Sequence, residues 1–417
     1  MFLLIFLYNL SIRLYALAAY LLAFFKPKAR LFTAGRKHLL QKIATDMAGE
    51  SRKSVWFHCA SLGEFEQGRP VMEALKSIYP DLSIVLTFFS PSGYEVRKQY
   101  SGADYIYYLP LDTAAHARRF IALVQPKLAV FVKYEFWYHY LNTLHREHIH
   151  TIIISTIFQE RHPFFKWYGG LHRRMLSYFD HLFVQTQSSV TLLQGIGIDQ
   201  VTLAGDTRID RALTIANTPK TIPEVPEFKQ QGQLLIAGST WPEDEQLLKD
   251  ALSAISAKGV KLLIAPHEVN AAHIAQIQAL FGADCCLISE SSRLAQSTVA
   301  IVDSMGMLAY LYRYADYVWI GGGFNKTGIH NSIEAAVYGK ALCWGPNYSR
   351  YQEALDLIAL GAAHDFSSGE GLAAQIAQWQ ADEKKYTFVL QATENYVLQN
   401  KGATELILNY IATRRIF

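Results

Sequence analysis

The stretch WFHCASLGEFEQGRP, residues 56–70, decides the fold. It begins as a strand apolar enough to be buried on both faces. Ser61-Leu62-Gly63 then turns the chain, and Glu64 stands where a helix begins. A buried strand passing through a tight turn into a helix is the building unit of a parallel sheet covered on both sides. The same unit recurs along the chain. Runs at 54–60, 82–88, 105–111, 128–134, 151–157 and 181–186 form a first series. Runs at 233–239, 260–266, 285–289, 299–304, 317–323 and 341–346 form a second. Segments long enough for helices separate most of them. The expected class is α/β, with two doubly wound domains facing a cleft.

Between the series, TPKTIPEVPEFKQQGQ (218–233) carries three prolines and few core residues, as a linker does. The expected division is an anchor with a basic flank at 1–30, a first domain at 31–217, a linker at 218–232 and a second domain at 233–417. The last helix is free to pack back on the first domain. A chain of 417 residues, 51% of them hydrophobic, has the material for two cores and is no disordered segment. A net charge of +3 creates no global field, which argues against nucleic acid as a partner. The four cysteines, Cys59, Cys285, Cys286 and Cys343, form no CxxC pair. That points to a reducing compartment with neither a disulfide frame nor a zinc site.

Residues 1–25, MFLLIFLYNLSIRLYALAAYLLAFF, are long and apolar enough to span a bilayer, with Asn9 and Arg13 as a polar notch. The positive charges follow the segment, at Lys26, Lys28, Arg30, Arg36 and Lys37, and such flanks stay in the cytoplasm. A membrane anchor is the expectation. The other reading is a helix packed on the protein's own surface.

In doubly wound sheets ligands sit at the carboxyl ends of the strands, and each chemically suggestive residue falls at such an end. Glu64 reads either as a helix-start carboxylate, favoured by the free N–H groups, or as a general base. Glu135, in FVKYEFWYHY, reads as another helix start or as a group that binds a hydroxyl or orients its neighbours. In AGSTWPEDE (237–245), Gly238, Ser239 and Thr240 offer donors to a phosphate at a helix N-terminus, although no Walker loop is present. His267 ends the next strand, in IAPHE. Gly306, with Met305 and Met307 around it, can border a nucleobase or simply serve the core. In GGGFNKTGIHNSIEAAVYGKALCWGP (321–346), the glycines permit close backbone approach. Asn331 can cap a helix there, and Glu334 can hold a ribose diol.

Taken together, HCASLGE, YLPLD, KYEFW, GDTRID, GST, IAPHE, DSMGML and HNSIEAA with a later GP occur in one order. In these motifs the chain resembles the 3-deoxy-D-manno-octulosonic acid (Kdo) transferases, membrane-tethered glycosyltransferases of the GT-B fold with two Rossmann-like domains. The resemblance implies transfer of Kdo, with inversion, from CMP-Kdo to a lipid A precursor in lipopolysaccharide biosynthesis. It implies a Gram-negative bacterium, the cytoplasmic face of its inner membrane, and a phospholipid surface as a partner. No metal or other cofactor is expected. Glu64 would be the general base and Glu135 a second required carboxylate. The nucleotide pocket would fall on His267, Gly306, Asn331 and Glu334, with Met307 alongside. Ser239, Thr240 and Arg208 would hold the CMP phosphate. Two departures stand out: many members have an arginine just before the position of His267, and GNLKFD where this chain has GDTRID, so that Arg208 replaces a lysine. The greasy, basic run FQERHPFFKWYGGLHRRM (158–175) suits a lipid acceptor at a membrane interface. Two other readings remain: a membrane-associated GT-B enzyme using a UDP-sugar, and a non-catalytic nucleotide-binding scaffold.

Overall fold

The computed structural model describes residues 2–218 and 220–417; Met1 of the expected anchor and Pro219 of the expected linker lie outside them. The chain divides into two compact units, Met1–Asp210 with Lys401–Phe417, and Arg211–Asn400.

The first unit begins with helix α1 (Phe2–Leu22). Its sheet comprises β1 (Ser54–Cys59), β2 (Ser83–Phe88), β3 (Tyr105–Tyr108), β4 (Pro126–Val132), β5 (His150–Thr156), β6 (His181–Val184) and β7 (Val201–Leu203). The strands run in the order 3-2-1-4-5-6-7, and every pairing is parallel. β1 and β2 are buried at every position, which is why they read as continuous apolar runs with no alternation. Two helices matter most for the site: α2 (Leu62–Ile78), after β1, and α3 (Tyr138–Arg146), after β4. Pro70 lies inside α2.

The second unit repeats the plan with β8 (Gln233–Thr240), β9 (Val260–Pro266), β10 (Cys285–Leu287), β11 (Val299–Ile301), β12 (Tyr317–Ile320), β13 (Ala341–Trp344) and β14 (Ala363–Asp365). Their order is 10-11-9-8-12-13-14, again all parallel. Helix α4 (Pro242–Ser256) follows β8. The final helix, α5 (Ala403–Thr413), belongs to the first unit, where Ala403, Ile407 and Ile411 join its core. Asp210 clasps the start of α5, accepting from the Gly402 and Thr404 amides at 2.6 and 2.7 Å.

Each sheet holds one strand more than the six expected. β7 and β14 are three residues long and partly exposed, too short to show as apolar runs. The proline-rich stretch carries a short helix, Glu224–Lys229, that buries Val225 and Phe228. Of the basic flank, Arg36 turns inward. Its guanidinium donates to the carbonyls of Leu109, Phe32 and Phe89, lies 3.7 Å from the Phe32 ring centre, and is held down at about 10 by burial. In the run 158–175, Phe158 and Phe164 belong to the core, whereas Trp167 is 92% exposed and Tyr168 is also exposed. Arg173 donates to the carbonyls of Phe164 and Lys166 and holds that turn in shape.

Candidate active site

A doubly wound sheet opens a crevice where its strand order reverses, beyond the carboxyl ends of two neighbouring strands. In the first unit that point lies between β1 and β4, and Glu64 and Glu135 follow those two strands. The sequence put a carboxylate after each strand; the strand order makes β1 and β4 neighbours. Both carboxylates act on the buried Cys59 thiol, which is pushed well above its ordinary value by burial first, then by Glu64 and Glu135.

Glu64 sits half-buried in the first turn of α2. Ser61 precedes the helix, but its hydroxyl donates to the Glu64 carboxylate and caps no backbone group. Gly63 beside it is exposed, and a Cβ placed there would meet nothing nearer than Ser61 Oγ at 3.8 Å. The fold itself therefore has room for a side chain at 63, next to Glu64 in the chain.

Glu135 is buried and held by two partners. His58 Nε2 lies 2.8 Å from Glu135 Oε2, and the Trp137 indole N–H donates to the same oxygen at 2.7 Å. The other imidazole nitrogen of His58 faces the Thr87 carbonyl at 3.2 Å and the Thr87 hydroxyl at 2.9 Å. A carbonyl only accepts, so Nδ1 is the donor on that side of the ring. His58, Thr87 and Trp137 are the site residues that sequence reasoning missed here. The available signal was a histidine inside a fully buried strand, which has to find a partner.

In the second unit the order reverses between β8 and β12. Ser239, next to last in β8, lies in the left-handed region at φ 55°, as do Lys133, just beyond β4, and Ser155, next to last in β5, at 67° and 59°. Such backbone costs about 1–3 kcal/mol per residue and clusters at functional sites. The Ser239 carbonyl lies where a Cβ on Gly321 would stand, 2.2 Å away, so the loop after β12 has to be glycine at that position. Asp244, at the start of α4, binds that loop: it accepts from the Gly322 amide at 2.8 Å, the Trp319 indole at 3.1 Å and the Trp241 amide at 3.0 Å. Burial raises its carboxyl to about 6.

Three rings stack at this edge. Trp241 and His267 are 4.7 Å apart, and His267 and His330 are 4.4 Å apart. The Trp241 indole donates to His330 Nε2 at 2.9 Å, so the His330 proton sits on Nδ1. Burial, then His267, lowers His330 to about 4, and burial lowers His267 too, so the pair is neutral near pH 7. A cavity of about 280 Å³ opens beside Trp241, His267, Asn270 and His273. Trp241 and His330 were not among the expected site residues.

The remaining candidates fall as follows. The Thr240 hydroxyl is buried and donates to Glu245 at 2.8 Å, so it is committed inside the fold and not presented to a phosphate. Arg208 belongs to the first unit, where it forms a fork with Asp206 at 2.5–3.1 Å. Asn331 accepts from the Ile333 amide at 3.2 Å and donates to Glu334 at 3.0 Å, acting as a cap and fixing that carboxylate. Glu334 also acts on the buried Tyr312 hydroxyl, which stands where a Cβ on Gly238 would be. Gly306 is exposed at φ 81°, and Met307 accepts a contact from Ser304. No group of three or more His, Cys, Asp or Glu side chains able to hold a metal occurs among the described residues.

Residues 34–211 match the family described as 3-deoxy-D-manno-octulosonic-acid transferase (kdotransferase), and this span carries both carboxylates. Over this span the chain resembles the Kdo transferase family. It is 24% identical to the 3-deoxy-D-manno-octulosonic acid transferase of Haemophilus influenzae over 383 residues, 86% of each chain. It is 27% identical to the enzyme of the same name from Aquifex aeolicus over 298 residues, 70% of this chain and 76% of that one. Among solved structures, UDP-GlcNAc 2-epimerase from Neisseria meningitidis aligns with a TM-score of 0.61 at 16% identity, over 86% of this chain and 100% of that one. MurG from Acinetobacter baumannii aligns with a TM-score of 0.55 at 12% identity, over 87% and 99%. Identities this low speak for a shared GT-B fold alone. In this chain, similar to the Kdo transferases, both carboxylates thus stand at the first sheet's switch point, and a ring stack with a glycine loop stands at the second's.

Proposed function

We propose that the chain transfers Kdo from CMP-Kdo to a lipid A precursor, with inversion at the sugar, at the cytoplasmic face of the inner membrane. The observation that carries this reading is the placing of Glu64 and Glu135 at the switch point of a sheet that matches the Kdo transferase family. Glu64 takes the proton from the acceptor hydroxyl as its oxygen bonds to the anomeric carbon of Kdo. The bond from that carbon to the CMP phosphate breaks, and its electron pair leaves with the phosphate. Positive charge builds on the sugar and negative charge on CMP. Main-chain donors of the Gly321–Gly323 loop, the Ser239 hydroxyl and the His330 Nδ1–H are fixed dipoles suited to that leaving group. On this reading no metal takes part. Glu135, oriented by His58 and Trp137, supports the acceptor side.

The test is CMP release from CMP-Kdo with a tetraacylated lipid A precursor. The wild type turns over, and Glu64→Gln binds CMP-Kdo normally yet loses about 10²–10⁴ in rate. Near-normal activity in Glu64→Gln would return Glu64 to a helix-start role. An inert wild type that turns over a UDP-sugar would replace the donor.

A further inference from the structure

We propose that α1 lies in the plane of an anionic bilayer surface and does not cross it. The inference deepens the membrane reading above and rests on it. By composition α1 reads as a spanning helix, with no acidic residue and no buried one. Its contacts say otherwise. The half-buried positions Ile5, Tyr8, Asn9, Ile12, Ala16 and Ala19 fall on one face, and that face lies against the first unit. The Tyr8 hydroxyl donates to Asp112 at 2.5 Å and accepts from the Tyr138 amide at 3.3 Å. Asn9 pairs with His139 at 2.6 Å, and the Tyr15 ring packs on Phe32 and Phe89 at 5.7 and 5.8 Å. A spanning helix meets its soluble domain at one end. Here docked positions run from residue 5 to residue 19, about 21 Å at 1.5 Å per residue. Across a hydrocarbon core of roughly 30 Å, that length of folded protein would be carried into lipid with the helix.

The opposite face fits an in-plane position. Leu3, Leu7, Leu10, Leu14, Leu17 and Leu21 form one exposed apolar row. Arg13 is also exposed and lies to the side of that row, where its head can reach the phosphates; in a spanning helix it would stand near the bilayer centre. Lys26, Lys28 and Arg30 follow at once, exposed and without an ion pair among the described residues. An apolar row with a basic flank complements an anionic surface. Asp112 links this docking to the site, because it also accepts from the His139 and Tyr140 amides at the start of α3, just after Glu135. Acceptor lipid would thus approach Glu64 sideways from the leaflet.

The experiment places a nitroxide in the full chain at Leu3→Cys, Leu10→Cys or Leu17→Cys; the native cysteines are all buried. Depth is read by power saturation, with oxygen and a water-soluble nickel chelate, on vesicles of phosphatidylglycerol and phosphatidylethanolamine. In-plane binding gives all three labels one shallow depth, within the roughly 5–10 Å of interfacial helices. Raising salt from about 0.1 M to 1 M, which shortens the Debye length from roughly 10 to 3 Å, weakens vesicle binding several-fold. A label at Leu10 more than about 10 Å deeper than that at Leu3 overturns the proposal in favour of a spanning helix. Labels closed to both reagents and broadened by one another overturn it in favour of a second copy paired along the leucine row. No vesicle binding at all overturns the membrane reading as well, while CMP release with detergent-dispersed acceptor tests the transferase reading separately.

Discussion

At the residue scale, Glu135 shows how a buried carboxylate is kept usable. Among the described residues its side-chain partners are nitrogen groups, on His58 and Trp137, and His58 is anchored in turn by Thr87. Replacing His58 with Phe leaves the carboxyl group short of a partner. The expected cost is about 1–3 kcal/mol of stability, with loss of CMP release well beyond what the melting shift explains. His58→Gln should recover part of the stability. Denaturant titration beside turnover separates the two effects. Gly63 predicts the opposite pattern. Its Cβ position is open, so Gly63→Ala should melt within about 0.5 kcal/mol of wild type, yet lose activity because the methyl occupies the space before Glu64. Normal activity in Gly63→Ala would mean the acceptor does not use that space. Glu64 was legible because strand, turn and helix start are contiguous. The His58–Glu135 pair was not, because its members are 77 residues apart and meet only through the β1–β4 pairing.

At the scale of elements, the two sheets use one device, a strand whose end opens toward its neighbour across the switch point. In the second unit the device depends on close backbone approach. Gly321→Ala would force a methyl against the Ser239 carbonyl, which is main chain and cannot swing away. A loss of about 1–3 kcal/mol is expected, with weaker CMP binding by calorimetry. Of the strands, the apolar runs were readable, and their ends moved by a few residues; β3, for example, stops at Tyr108, short of 111. The edge strands β7 and β14 were not readable, since three residues with partial exposure carry no pattern. Thr240 looked like a phosphate donor because it ends a strand before a helix. Its hydroxyl goes to Glu245, one turn into α4, and only side-chain direction decides that.

At the scale of the whole molecule, the chain returns to its first unit at the end. Asp210 holds the amides of Gly402 and Thr404, so Asp210→Ala should cost about 0.5–2 kcal/mol, as loss of a helix cap does. Stability should also fall in acid. His181, beside Tyr410 of α5, is lowered to about 4 by burial, then Arg414 and His150, and His330 is lowered to a similar value. The unfolded chain binds these protons near 6.5 and the folded chain resists them. The contribution is complete above about 6.5 and is lost as pH falls toward 4. Asp244, raised to about 6, acts the other way below that pH. A His181→Gln variant isolates the first effect: its melting temperature should vary less than wild type between those limits.

By itself the sequence determined two doubly wound α/β units, an apolar first helix, and Glu64 at the start of α2. These follow from apolar runs, turn residues and helix starts, which are local and survive without knowledge of neighbours. Tertiary structure alone decided that Glu135 rests on His58, that Trp241 and His330 build a ring stack, and that α1 lies against its own domain. Each of these depends on which strands become neighbours and which way side chains then point. Crossover connections set that order over tens to hundreds of residues, and no local pattern in the chain records it.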